Sequence, residues 1–107
     1  NIVGSSTPAM REVDDRIVES ASIWVDYLPS TLAQAGEIVG MIAAGRFDES
    51  EIKGEIGAQQ LGKVPGRSSS DEITVYRSRG VAAEDLAAAQ FAYTRANERG
   101  LGQTVAF

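Results

Sequence analysis

The run SIWVDYLPSTLAQAGEIVGMIAAGRF, residues 22–47, decides the fold class. Its first part, SIWVDYL, is rich in β-branched and aromatic residues and reads as a buried strand with Asp26 near its end. Pro29 and Ser30 then act as helix-start signals. Leu32, Ala35, Ile38, Val39 and Ile42 recur at helical spacing, and Gly45 is a natural stop. A strand followed at once by an amphipathic helix is the unit of a parallel sheet.

The same alternation continues on both sides. Upstream, Asn1 to Val3 reads as a strand end, Gly4 to Pro8 as a turn, and Asp14 or Asp15 as the cap of a helix. Val13, Ile17 and Ala21 lie at i, i+4 and i+8 on one face of that helix. Downstream, DESEIKGEIGAQQLGKVPGR starts with a good cap and places Ile52, Ile56 and Leu61 on one side. Gly54 and Gly57 weaken it, so a short helix with a broken end is expected. VPGRSSSDE is a loop by composition, and EITVYRS alternates as a strand closed by Gly80. VAAEDLAAAQFAYTRANERG is the strongest helix, and LGQTVAF is extended or irregular. The expected fold is therefore α/β: a three-layer αβα arrangement, with a parallel sheet covered by helices on both faces. Three strands make a thin sheet, and the first begins on residue 1, so the chain is expected to be a fragment, the C-terminal third of a larger α/β protein.

Composition narrows the function. The 107 residues have a normal globular balance, 43% hydrophobic and 23% charged. Ten basic and 15 acidic residues give a net charge of −5. Arg67, Arg77, Arg79, Arg95 and Arg99 are scattered, so no nucleic-acid surface is expected. Cysteine and histidine are both absent. That excludes disulfides and thiolate metal sites, and removes the usual general base and the commonest metal ligand; no metal is expected. No stretch approaches the roughly 20 apolar residues of a membrane span. No signal peptide is visible, and a cytoplasmic location is the default expectation.

Ligands of open α/β sheets bind outside the carboxyl ends of the strands. Gly4-Ser5-Ser6-Thr7 sits at one such end, either as a ligand turn or as a plain connection. Arg77 and Ser78 sit at another; Arg77 could grip a carboxylate or phosphate, while spacing alone favours a solvated arginine. Glu37 and Glu55 each follow a glycine and read as solvated helix residues. Asp85 complements a helix N-terminus. No G-x-G-x-x-G fingerprint is present, so the chain carries no pyrophosphate cradle of its own.

Three stretches together resemble the ornithine cyclodeaminase/mu-crystallin family: NIVGSSTPAMREVDD, VDYLPSTLAQAGEI and GEIGAQQLGKVPGRSSSDEITVYRSRGVAAEDLAAA. The shared landmarks are Val3-Gly4, Pro8, Arg11 to Asp14, Val25-Asp26, Gly36-Glu37, Pro65-Gly66-Arg67, Asp71 to Thr74, Tyr76-Arg77-Ser78, Gly80 and Glu84-Asp85. The resemblance implies an enzyme dependent on NAD or NADP and acting on a small imino acid or amino acid, as a homodimer of the full-length protein. It implies that residues 1–80 are the later half of a Rossmann-type NAD(P)-binding domain. Residues 81–107 would return toward a substrate and dimerisation domain, and the glycine fingerprint and catalytic lysine would precede Asn1. It places Val3, Gly4, Ser5, Arg77 and Ser78 against the cofactor, Ser6 at the catalytic and substrate position, and Gln34 at a substrate contact.

Three departures from the family pattern bear on the reaction. Ser6 stands where ornithine cyclodeaminases carry a proton-handling Asp, and a serine supplies no carboxylate base. Met10 stands where they carry a Lys, and Gln34 where mu-crystallin has a Glu. The resemblance thus favours reduction of a cyclic imine over conversion of ornithine to proline and ammonia. A non-catalytic ligand-binding or dimerisation role is the third expectation.

Overall fold

The computed structural model describes residues 7–106. The Gly4–Ser6 turn and the strand end before it lie outside the described residues. Five helices and three strands follow in the order α1 (Asp15–Ser20), β1 (Ser22–Val25), α2 (Leu28–Gln34), α3 (Gly36–Ala43), β2 (Gly54–Glu55), α4 (Ile56–Gln60), β3 (Thr74–Arg77) and α5 (Ala82–Glu98). A 3₁₀ turn at Glu49–Glu51 precedes β2. The sheet is wholly parallel, in the order β2-β1-β3.

β1 is the central strand, as its composition predicts. Trp24 and Val25 pair with Gly54 and Glu55 on one side. Ser22, Ile23, Trp24 and Val25 pair with Thr74, Val75, Tyr76 and Arg77 on the other. Side chains alternate across the pleat, so Ile23, Val25, Val75 and Arg77 face α1 and α3. There Val18, Ile23, Val25, Ala35, Ile38, Met41, Phe47 and Ile52 form the core. Fully burying one such aliphatic side chain contributes about 1.5–3 kcal/mol. On the opposite face, Trp24, Thr74 and Tyr76 are covered only by α4 and the loop around Gly66 and Arg67, leaving an open cavity of about 200 Å³.

The structure corrects the expected element plan in three places. The single helix expected after Pro29 is two: Ala35 is extended (φ −78°, ψ 97°) and fully buried, so α2 ends and α3 sets off afresh. Gly54-Glu55 is a strand rather than helix. Gly54 has φ +137°, and Val64 packs where a Cβ would stand, so only glycine fits there without strain. Leu61, expected on a buried face, is 72% exposed. Of the two capping candidates upstream, Asp14 caps α1 by accepting from the Ile17 N–H at 3.0 Å. Asp15 instead pairs with Arg11 and Arg46, which hold its carboxyl below the usual range.

α5 runs where the Ala-rich segment predicts, yet none of its residues is buried. Leu86, Phe91 and Tyr93 are 69%, 64% and 71% exposed. Among the described residues, no helix is long and apolar enough to cross a membrane.

Candidate functional site at the carboxyl ends of β1 and β3

β1 and β3 run side by side and end together, so the residues just after them share one rim. Asp26 follows β1, and Ser78, Arg79 and Gly80 follow β3. The Asp26 carboxylate ties the two ends into one unit. Its Oδ2 accepts from the Arg79 N–H at 2.6 Å, the Gly80 N–H at 2.7 Å and the Ser78 hydroxyl at 3.3 Å. Its Oδ1 accepts from the Tyr27 N–H at 2.8 Å. Asp26 is only 9% exposed, so these bonds are made with little competition from water. Gly80 has φ +87°, a conformation that lets the chain turn back over the carboxylate.

Ser78 therefore stands half-buried on the rim with a fixed backbone. Arg79 leans across toward α2. Its guanidinium donates to Ser30 Oγ at 3.1 Å and to Gln34 Oε1 at 2.5 Å. Gln34 is exposed at the end of α2 with its side-chain oxygen engaged by Arg79, so the structure brings it to the same rim as Ser78. Glu55, expected as a solvated helix residue, lies in β2 instead and accepts from the Leu28 N–H at 2.9 Å. It thereby serves the N-terminus of α2, which has no side-chain cap of its own.

Arg77 is placed differently from the expectation. It is neither on the rim nor solvated, but 1% exposed. Its register opposite Val25 turns its side chain into the helical layer. There its guanidinium pairs with Glu37, itself 1% exposed, and with Glu12 at 2.8 Å. It also donates to the Ser78 carbonyl at 2.6 Å. The direct cofactor contact expected of Arg77 is thereby corrected, because the side chain is committed to two buried acids beneath the rim. Glu37, expected to be solvated, is corrected with it. Asp85 is exposed in the first turn of α5, where an acid complements the helix dipole.

Arg77 also explains how the segment after the Gly4–Ser6 turn is seated. Glu12 anchors that segment from one side. From the other, Gly36 lies so close beneath it that a Cβ there would collide with the carbonyl oxygens of Pro8 and Met10. Met10 itself is 47% exposed. Sequence reasoning missed Glu12, Asp26 and Arg79 as site-building residues. The family landmarks Arg11 to Asp14 and Val25-Asp26 contained Glu12 and Asp26 without giving either a role.

A family model described as "Ornithine cyclodeaminase/mu-crystallin family" matches residues 1–100. The chain belongs to the ornithine cyclodeaminase/mu-crystallin family. A Delta(1)-pyrroline-2-carboxylate reductase of Bacillus cereus (strain ATCC 10987) is 35% identical over 108 residues, covering 100% of this chain and 33% of that protein. The chain thus spans about a third of the length of the curated relatives it matches. Among solved structures, the Thermococcus litoralis Delta(1)-pyrroline-2-carboxylate reductase in complex with NADH and L-proline superposes with TM-score 0.78 at 34% identity. It covers 92% of this chain and 30% of its own. An archaeal alanine dehydrogenase dimer with bound NAD matches with TM-score 0.72 at 32% identity, covering 94% of this chain and 31% of its own. The Rossmann-type α/β architecture read from the sequence accords with these neighbours.

Proposed function

We propose that the full-length protein is an NAD(P)-dependent reductase that passes hydride to the Cα of a cyclic imino acid of the pyrroline-carboxylate type. The observation that carries this reading is the likeness, at 34% identity, to a reductase holding NADH and L-proline. It joins with a rim whose chemistry suits a nicotinamide. Ser78 offers a hydroxyl at the carboxyl end of a parallel strand, the place where such sheets take ligands. The 78–80 turn is locked by Asp26, so it meets a flat ring without having to reorganise. No glycine-rich phosphate cradle is present in the chain, so the nucleotide's phosphates would be held by residues outside it.

In this mechanism Val3, Gly4, Ser5 and Ser78 would hold the nicotinamide side of the cofactor, and Ser6 and Gln34 would face the substrate. Bound there, the cofactor supplies the hydride. Ser6 orients the imine by hydrogen bonding and provides no carboxylate base, which disfavours the cyclodeaminase reaction. Arg77 acts beneath the rim, fixing the segment after Ser6 through Glu12. Residues 81–107 return toward a substrate and dimerisation domain formed by the rest of the polypeptide, with the apolar side chains of α5 covered there. The dimeric alanine dehydrogenase supports a homodimer.

The test is a steady-state assay of the full-length protein. Oxidation of NADH or NADPH is expected with pyrroline-2-carboxylate, without ammonia release from ornithine. Ammonia release from ornithine, with no turnover of any cyclic imine, would replace this reading by the cyclodeaminase one. Tight cofactor binding without any turnover would favour a non-catalytic role.

A further inference from the structure

We infer that Asp26 is the positioning residue for the nicotinamide-side rim, acting through the 78–80 turn rather than by touching the ligand. The inference rests on the reductase reading and deepens it. Asp26 is 9% exposed, and both of its oxygens are occupied by donors from this chain. Three of those four donors come from residues 78, 79 and 80, more than 50 positions away. One buried carboxylate therefore sets where β3 stops and how the chain leaves it.

The alternatives within the chain are few. β3 ends at Arg77, and α5 begins only at Ala82. Between them, the Arg77 guanidinium holds the Ser78 carbonyl at 2.6 Å, and among the described residues no backbone carbonyl is bonded to the Arg79 and Gly80 N–H groups. Arg79 adds a side-chain brace on Ser30 and Gln34, but that brace holds the guanidinium and not the backbone N–H groups. A carboxylate is the right acceptor here. Two backbone N–H groups and a hydroxyl converge on one oxygen, and a charged acceptor satisfies several donors at once. An asparagine has a single acceptor oxygen. Turned toward residues 79 and 80, it would aim its NH₂ at the Tyr27 N–H; turned the other way, it would aim NH₂ at the Arg79 and Gly80 N–H groups. In both orientations a donor faces a donor, and the turn loosens.

The consequence is specific. Loosening the turn displaces Ser78 from the cofactor's edge and leaves the core on the far side of β1 intact. The experiment compares Asp26→Asn with Val18→Ala in the full-length protein, reading the NADH dissociation constant by fluorescence alongside the unfolding midpoint. Val18 is a core residue of α1 that makes none of the bonds of the 78–80 turn, and its truncation controls for general loss of stability.

Asp26→Asn is expected to weaken NADH binding about tenfold, the size of one lost charge-assisted hydrogen bond. Val18→Ala is expected to leave binding within about twofold at a comparable fall in midpoint. Unchanged NADH binding in Asp26→Asn, or equal weakening in both variants, would overturn the inference. Should Asp26→Asn fail to fold, Gly80→Ala re-angles the same turn. A Cβ there meets nothing within 4 Å, so only the strain at φ +87° acts, and the same weakening is expected; unchanged binding would overturn the inference. A wild-type protein that binds neither NADH nor NADPH would instead refute the reductase reading itself, and this inference would fall with it.

Discussion

Replacing Arg77 with Met would expose how much of the rim depends on the charge cluster beneath it. Methionine keeps much of the side-chain length and removes the guanidinium. Two carboxylates then lose their cation: Glu37, whose side chain is 1% exposed, and Glu12, whose side chain is 9% exposed. Among the described residues, both oxygens of Glu12 and Oε2 of Glu37 have no hydrogen-bond partner, so Arg77 is the cation on which both acids depend. Breaking a buried pair by removing one member costs about 3–5 kcal/mol, because it strands an uncompensated charge. The total stability of a domain this size is about 5–15 kcal/mol. Arg77→Met should therefore remove a large fraction of it. With a urea slope of about 1–3 kcal/mol/M, the midpoint should fall by at least about 1 M. Adding Glu37→Gln removes one of the two stranded charges and should return at least about 1 kcal/mol, since contacting residues couple non-additively. A loss below about 1 kcal/mol for Arg77→Met, or strict additivity in the double variant, would refute the view of Arg77 as the buried centre of this cluster.

Two further perturbations probe the surroundings of the site. Gly36→Ala drives a Cβ into the carbonyls of Pro8 and Met10. Backbone cannot swing aside like a side chain, so a cost of about 1–3 kcal/mol is expected in urea unfolding, and an unchanged midpoint would contradict the close approach. Glu72 accepts from Ser22 and from Ser68, and these bonds hold its carboxyl down at about 2. A depressed folded-state value means that its contribution is present above the ordinary value of 4.5 and is lost as pH falls toward 2. A carboxyl NMR titration should find its midpoint near 2; a midpoint near 4.5 would contradict the bonding.

What was legible in the sequence was what repeats locally. β1 and β3 announce themselves through β-branched and aromatic residues, and α5 through its alanines and its closing glycine. β2 was not legible, because a strand of two residues has no period. The break at Ala35 was hidden because Leu32, Ala35 and Ile38 keep helical spacing straight through it. The restart coincides with the close approach of Pro8 and Met10 to Gly36, a contact that the local pattern does not carry.

Ser78 and Gln34, named from the family resemblance, stand near the ends of β3 and α2, which Arg79 links. The roles of Asp26, Glu12, Glu37 and Arg77 were not legible from local pattern, since their partners lie far along the chain. A charged residue read in isolation defaults to solvent, and the burial of Arg77 depends on two acids that come from the segment before α1 and from α3.

The central claim is that hydride passes from the nicotinamide to the imine carbon. The most direct measurement follows the atom itself. The full-length protein would be given pyrroline-2-carboxylate and NADH or NADPH deuterated at the transferable position of the nicotinamide C4, and the proline formed would be examined by mass spectrometry and proton NMR. The account predicts deuterium at the proline Cα. Proline formed without deuterium, or no proline from the imine while ornithine yields ammonia, would contradict it.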